Sequence, residues 1–252
     1  MDWAFIVLTY CATQAHTKVL GTCLRSINTH YPKRHVYLLD DHSPLHVEDL
    51  PEVSTKLKTT VSVHKTKHPK AGEVNPYLFA LSSECFHNYI LFIHDTTCVK
   101  EGIDGYLPQS TDISILWYSK QFVFSDTFVH VNDDILHSLM VRGKPMKDIL
   151  ESYVANPTSF FVTFGGMSLF TKEFVKKMTA VSNIEDVAHK FQVRVNRCLW
   201  ERVLTALIFA VYGEDWCVPT LFGDIQLHPK AFQNKDPNVR YWAPIVKVWE
   251  GR

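Results

Sequence analysis

The chain has 252 residues, 46% hydrophobic and 21% charged, the usage of a globular protein with a real core rather than of a disordered or fibrous one. Lys+Arg and Asp+Glu both number 26, so no net field draws the chain to nucleic acid or to an anionic membrane. No apolar stretch reaches the ~20 residues that span a bilayer, so no transmembrane segment is expected.

"AFIVLTY" (4–10) has no polar face and reads as a strand buried on both sides of a sheet. It follows the first residues directly, without a basic n-region or a cleavage site. That predicts a soluble, cytoplasmic chain with no signal peptide. The six cysteines, Cys11, Cys23, Cys85, Cys98, Cys198 and Cys217, contain no CxxC pair. Buried thiols in a reducing compartment explain them better than disulfides or a zinc site.

"HTKVLGTCLRSINTHYP" (16–32) places Val19, Leu20, Cys23, Leu24 and Ile27 on one helical face, and Pro32 ends it. "HVYLLDDHS" (35–43) is a second strand with Asp40 and Asp41 at its tip. A short helix is expected within 46–58 and a third strand in "TVSVHKT" (60–66). "NPYLFALSSECFHN" (75–88) reads as a helix with Pro76 in its first turn. Tyr89–Ile93 is again wholly apolar, and it stops at His94-Asp95-Thr96-Thr97.

Further on, "DISILWYS" (112–119) reads as a strand and 132–156 as mostly helix. Residues 159–178 read as a strand, a Gly-Gly turn and a capped helix. "NRCLWERVLTALIFAVYG" (196–213) is the most apolar helix. Strands alternating with helices predict a mostly parallel sheet, and ligands bind outside the carboxyl ends of such strands. The polar tips Asp40-Asp41 and His94-Asp95 would then meet at one edge. Each tip alone is better explained by turn chemistry, and it is the occurrence of two that favours a ligand edge. No GxGxxG follows the first strand, and no GxxxxGK[ST] or GxSxG occurs, which argues against a Rossmann site, a P-loop and a hydrolase elbow.

An N-terminal strand ending in Thr9-Tyr10, then "LRSINTHYP" and "VYLLDDHS", resembles the opening of a family-2-like glycosyltransferase of GT-A fold. The resemblance runs over roughly residues 3–250. It implies one α/β domain over 1–252, with a mostly parallel sheet flanked by helices. Residues 1–98 would form the nucleotide-binding half, and 99–252 the acceptor half and tail. Asp40 or Asp41 would bind the nucleotide's base or ribose beside the main chain of Thr9 and Tyr10. His94-Asp95-Thr96 stands where the family carries Asp-x-Asp, which implies Asp95 as a nucleotide-site residue and as a ligand of Mn²⁺ or Mg²⁺. "GDIQLHP" offers His228 as a second ligand. Gly165, Gly166 and Met167 of "FGGMSLF" would border donor and acceptor, and Glu201 of "CLWERVLTAL" would be the general base.

The resemblance implies transfer of a sugar from a UDP-, GDP- or dTDP-linked donor to a glycan or other hydroxyl, inverting and metal-assisted. The chemistry of that reaction asks for the same groups: a hard cation with carboxylate oxygens to neutralise the diphosphate, and a placed carboxylate to deprotonate the acceptor. The missing second acid keeps open a weak or inactive nucleotide-sugar or glycan-binding module. It also leaves room for the cations Lys247, Arg240 and Arg252. A nucleotidyltransferase is a third reading, weakened because "TYCATQAHTK" has no glycine. Arg197 and Arg202 are candidate ion-pair partners of Glu201.

Overall fold

A computed structural model describes residues 2–54, 57–107, 111–120, 126–155, 160–214, 216, 218–225 and 244–247. The chain begins with β1 (Trp3–Thr9), α1 (Gln14–His30), β2 (His35–Asp40), the single turn α2 (Pro51–Ser54) and β3 (Thr60–Lys65). Next come α3 (Asn75–Ala80), β4 (Tyr89–His94), β5 (Thr97–Val99), β6 (Ile113–Ile115) and β7 (Tyr118–Ser119). Then α4 (Asp126–Ser138), the hairpin β8 (Met140–Val141) and β9 (Lys144–Pro145), and α5 (Met146–Ala155) precede β10 (Val162–Thr163) and β11 (Ser168–Thr171). The last elements are α6 (Lys172–Val181), α7 (Ile184–Val187), α8 (Arg194–Tyr212) and β12 (Ile245–Lys247).

The fold is mixed α/β, built on a six-stranded sheet of order β3-β2-β1-β4-β11-β6. The first four strands are parallel, while β11 pairs antiparallel with β4 and β6. Every residue of β1 is buried, as an all-apolar central strand requires. One face carries Phe5, Val7, Leu38 and Ile93 against Leu20, Cys23, Leu24 and Ile27 of α1. The other carries Ile6, Tyr37, Ile90 and Phe92 against α3, α6 and α8, including Tyr77, Phe174 and Trp200. The chain steps outward from β1 through β2 to β3, then returns over the second face by α3 to β4. Strand order therefore reverses at β1, the position where open α/β sheets form their ligand crevice.

Three readings of the sequence need correction. The expected helix 75–88 stops at Ala80, because Ser82–Cys85 turns back: the Cys85 amide bonds the Ser82 carbonyl, and Lys172 holds the Cys85 carbonyl. The expected strand 112–119 is two strands in different sheets. Between them Leu116 donates to the Met167 carbonyl, and the Trp117 carbonyl accepts from Phe164, so the chain bends around the Gly-Gly turn. The long helix 132–156 is α4 and α5, separated by a hairpin in which Arg142 and Gly143 both take positive φ (49° and 78°). The capped helix after the Gly-Gly turn is present, with the Thr171 hydroxyl accepting from the Phe174 amide at 3.0 Å.

Among the described residues no helix is long and apolar enough to cross a membrane. Cys11, Cys23, Cys85 and Cys98 are buried free thiols as expected, whereas Cys198 is exposed on α8.

Candidate functional site

The parallel pairing levels four strand ends. Asp40 is in register with Thr9 on one side and Lys65 on the other, and Leu8 pairs with His94, which brings Asp95 level with Thr9. Side chains in register share a face, so Lys65, Asp40, Thr9 and Asp95 form one polar row on the α1 side of the sheet. The row is bonded in two pairs. The Thr9 hydroxyl donates to Asp95 Oδ2 at 2.6 Å, and the Lys65 ammonium donates to Asp40 Oδ2. Asp40 Oδ1 accepts from the Ser43 amide at 2.9 Å, closing the turn after β2.

His94 and Asp95 are sequence neighbours on a strand and so point to opposite faces. His94 lies on the α3 side, its Nε2 3.6 Å from Glu73 Oε1. Asp95 lies on the α1 side at 1% exposure. Thr97 does not join them, because its hydroxyl is turned to the Met167 sulfur at 3.8 Å beneath the β5–β12 pair.

Asp41 leaves the sheet and organises the segment that follows β3. Its Oδ1 accepts from the Thr66 hydroxyl (2.9 Å), the Lys70 amide (2.8 Å) and the Asn75 side-chain amide (3.4 Å). Its Oδ2 accepts from the Gly72 amide at 3.1 Å. Burial pushes its pKa up, and the bonds from Thr66, Gly72 and Lys70, with the nearby Arg197 charge, pull against that rise without cancelling it. Asp41 and Thr9 are also tied, since the Asp41 amide donates to the Thr9 carbonyl at 2.9 Å. Tyr10 follows that carbonyl and is half-buried.

Over the other face stands the Gly-Gly turn. Gly165 and Gly166 both have φ of 62°, a region closed to most side chains. A methyl group on Gly166 would also lie 3.1 Å from the Trp200 indole nitrogen. Glu201, on the next residue of α8, accepts the Gly165 amide at Oε1 over 2.7 Å. Its main-chain carbonyl accepts from the Thr163 hydroxyl, also at 2.7 Å. Tyr77 of α3 donates to the Gly166 carbonyl at 2.6 Å. Met167 is fully buried on the α1 side and anchors the turn.

The structure thus brings Thr9, Asp40, Asp41 and Asp95 to one edge and places Glu201 against Gly165. Arg202 turns back to the Cys198 carbonyl (2.8 Å), and Arg197 packs its Cδ over Gly72. His228, Arg240, Arg252 and Asp215 lie outside the described residues, and the Lys247 side chain is not described either. Sequence reading missed Glu73, Lys65, Thr66 and Tyr77. The signal was present in "KTKHPKAGEVNP": a glycine and an asparagine just ahead of a helix mark a loop whose amides must be held by an acceptor.

A divalent cation needs several hard oxygen donors, and among the described residues no three His, Cys, Asp or Glu side chains stand together for one. Asp95 offers one carboxylate, of which one oxygen already carries the Thr9 hydroxyl. The fit is that of a single protein ligand, with further oxygens left to whatever binds beside it.

No family model matches the chain, and no curated protein matches its sequence. Solved structures similar to it include residues 1–349 of TarS from S. aureus, at 12% identity and TM-score 0.43 over 88% of this chain and 60% of that one. The same fragment in complex with UDP-GlcNAc aligns at 13% and 0.41 over 76% and 52%. Core-mannan synthase A (CmsA/Ktr4) from Aspergillus fumigatus, in a Mn/GDP form, aligns at 10% and 0.43 over 85% and 71%. The chain spans 60% of the TarS fragment's length.

Proposed function

We propose that the chain is a nucleotide-sugar-dependent glycosyltransferase of GT-A type, whose nucleotide lies across the carboxyl ends of β1, β2 and β4. The observation that carries this reading is the level row Lys65–Asp40–Thr9–Asp95 at the reversal of strand order. Thr9, Asp40 and Asp95 of the row are buried, and Lys65 is its exposed member. The first half of the chain, 1–98, would hold the nucleotide. The second half would supply the acceptor side through the Gly165-Gly166 turn and Glu201.

In this reading Asp40 and Asp41 recognise the base or ribose in different ways. Asp40 carries its own counter-charge in Lys65, while Asp41 shapes the 66–75 segment through the Thr66, Lys70, Gly72 and Asn75 bonds. Glu201 is the general base. Its Oε1 is oriented by the Gly165 amide, and its carboxylate would take the acceptor's hydroxyl proton as the sugar–oxygen bond forms. Attack from the face opposite the leaving diphosphate would invert the anomeric centre.

A divalent cation, Mn²⁺ or Mg²⁺, would supply charge neutralisation for the departing diphosphate. Asp95 would hold it from the protein side, and His228 is a candidate second ligand. The Asp95 carboxylate is 1% exposed, so ligation would need the end of β4 to open as the nucleotide binds.

One observation favours a second reading. Asp41 is sealed by four hydrogen bonds and Asp95 by the Thr9 hydroxyl, which suits a module of the same fold that holds a nucleotide sugar without turning it over. Calorimetry with UDP-, GDP- and dTDP-sugars plus Mn²⁺, followed by a donor-hydrolysis assay, separates the readings. Saturable binding with slow hydrolysis of one donor supports the transferase. Binding without hydrolysis supports the module, and no binding by any donor overturns both.

A further inference from the structure

We propose a second ligand site, for a neutral mono- or disaccharide, in the cavity between the end of β3, α3 and α7. The cavity adjoins the strand-end row: Lys65 of the row lines it, as do Thr66 and Asn75, whose side chains hold Asp41. Its volume, about 530 Å³, is within the range of small-molecule sites. Leu39, Leu78, Leu81 and the half-buried Phe79 form the apolar part of the lining. A sugar ring presents C–H groups on its faces and hydroxyls around its rim, and it needs both kinds of surface.

The charges select the class. Of the four charged residues in the lining, Lys65 is engaged by Asp40 and Glu84 by His64. The remaining two, Lys67 and Glu185, are of opposite sign and both exposed. A strongly anionic ligand would meet Glu185, and a cation would meet Lys67. A hydroxylated neutral ligand can donate to one and accept from the other.

Two polar atoms on residues of the wall are left unsatisfied by the fold itself. His68 Nε2 and Ser82 Oγ are both buried and have no hydrogen-bond partner. Burial, helped by the Lys67 and His189 charges and opposed by Glu185, lowers the His68 pKa and so favours the neutral ring, which has one donor and one acceptor nitrogen. Neither atom is solvent-accessible, so a ligand hydroxyl would reach them only as the wall side chains turn toward it. Side chains that both donate and accept, on one wall with an aromatic ring, match the alternating demands of a sugar's hydroxyls.

The test is an NMR titration of the whole protein with N-acetylglucosamine, mannose and cellobiose, without nucleotide. Saturable amide shifts are expected at residues 66–68, 78–82 and 185, with a Kd on the order of 1–10 mM for at least one sugar. Lys67→Ala and Glu185→Ala, both at exposed positions, should each weaken that binding roughly tenfold. Ser82→Trp, which fills the cavity, should abolish it. The proposal is overturned if none of the three sugars gives saturable shifts there. It is equally overturned if the shifts are unchanged in both exposed variants, or if phosphate or Mg²⁺ perturbs these amides while sugars do not. Because no nucleotide is present, a negative result leaves the strand-end site untouched.

Discussion

The Gly165 amide donates to Glu201 Oε1 at 2.7 Å, so one carboxylate both closes the Gly-Gly turn and stands at the proposed acceptor side. That double role makes Glu201→Gln informative. The glutamine carbonyl can still accept the Gly165 N–H, so fold and donor affinity should be kept. Basicity is lost, and transfer should fall by roughly 10²-fold or more. Wild-type transfer rates in this variant would reduce Glu201 to a cap on the turn and make Glu214 the next carboxylate to examine.

The two aspartates after β2 should separate by stability. Asp41→Ala strands four donors, among them the Gly72 and Lys70 amides, and should cost roughly 1–3 kcal/mol in urea unfolding. Asp40→Ala strands one amide, that of Ser43, and frees Lys65, which is half-exposed and can turn to water, so its stability loss should be the smaller of the two while nucleotide affinity drops. Equal stability of both variants would contradict the assignment of Asp41 as the organiser of the 66–75 segment.

Metal and nucleotide should bind as a linked pair. Asp95 alone offers too few charged oxygens to hold Mn²⁺ firmly, and a diphosphate supplies more. Mn²⁺ should therefore tighten UDP or GDP, and the nucleotide should tighten Mn²⁺ by the same factor. In Asp95→Asn that mutual gain should shrink to near nothing. Nucleotide affinity indifferent to Mn²⁺ in the wild type would show a metal-independent site.

Acid stability should depend on Asp112. Burial raises its pKa, but hydrogen bonds from Lys177 (2.6 Å), Tyr212 (2.9 Å) and Thr171 (3.3 Å), with the Lys177 charge, more than reverse this and hold it below the usual carboxylate value. The native state thus binds the proton more weakly than the unfolded chain. Its contribution is complete above the unfolded pKa of about 4 and is lost as pH falls through the lower folded value. Asp112→Asn should flatten the acid side of a stability–pH curve. An unchanged acid limb would mean that the bonds to Lys177 and Tyr212 contribute nothing.

The parallel half of the sheet was readable because Phe5–Leu8, Val36–Leu39 and Ile90–Ile93 are apolar without alternation, a pattern that little else produces. Asp40, Asp41 and Asp95 were readable as tips for the same reason: the apolar run ends there. Contacts made at a distance were not readable. Nothing in "DISILWYS" tells that Leu116 bonds the Met167 carbonyl and bends the strand in two. Nor does Glu201's place in an apolar helix reveal which amide it faces. Glu73 and Lys65 were passed over because each looks like an ordinary surface charge until the partners His94 and Asp40 are brought near.

The row from Lys65 to Asp95 draws its four members from four segments that backbone pairing brings level. Loops between them can lengthen or shorten over generations without disturbing it, since no member's position depends on loop length. A deletion of one residue inside β2 is another matter. It would present Asp41 where Asp40 stands, send residues on one side of the deletion to the opposite buried face, and separate Lys65 from Asp40 in a single step. Divergence in this protein should accordingly collect insertions between strands and almost none within them.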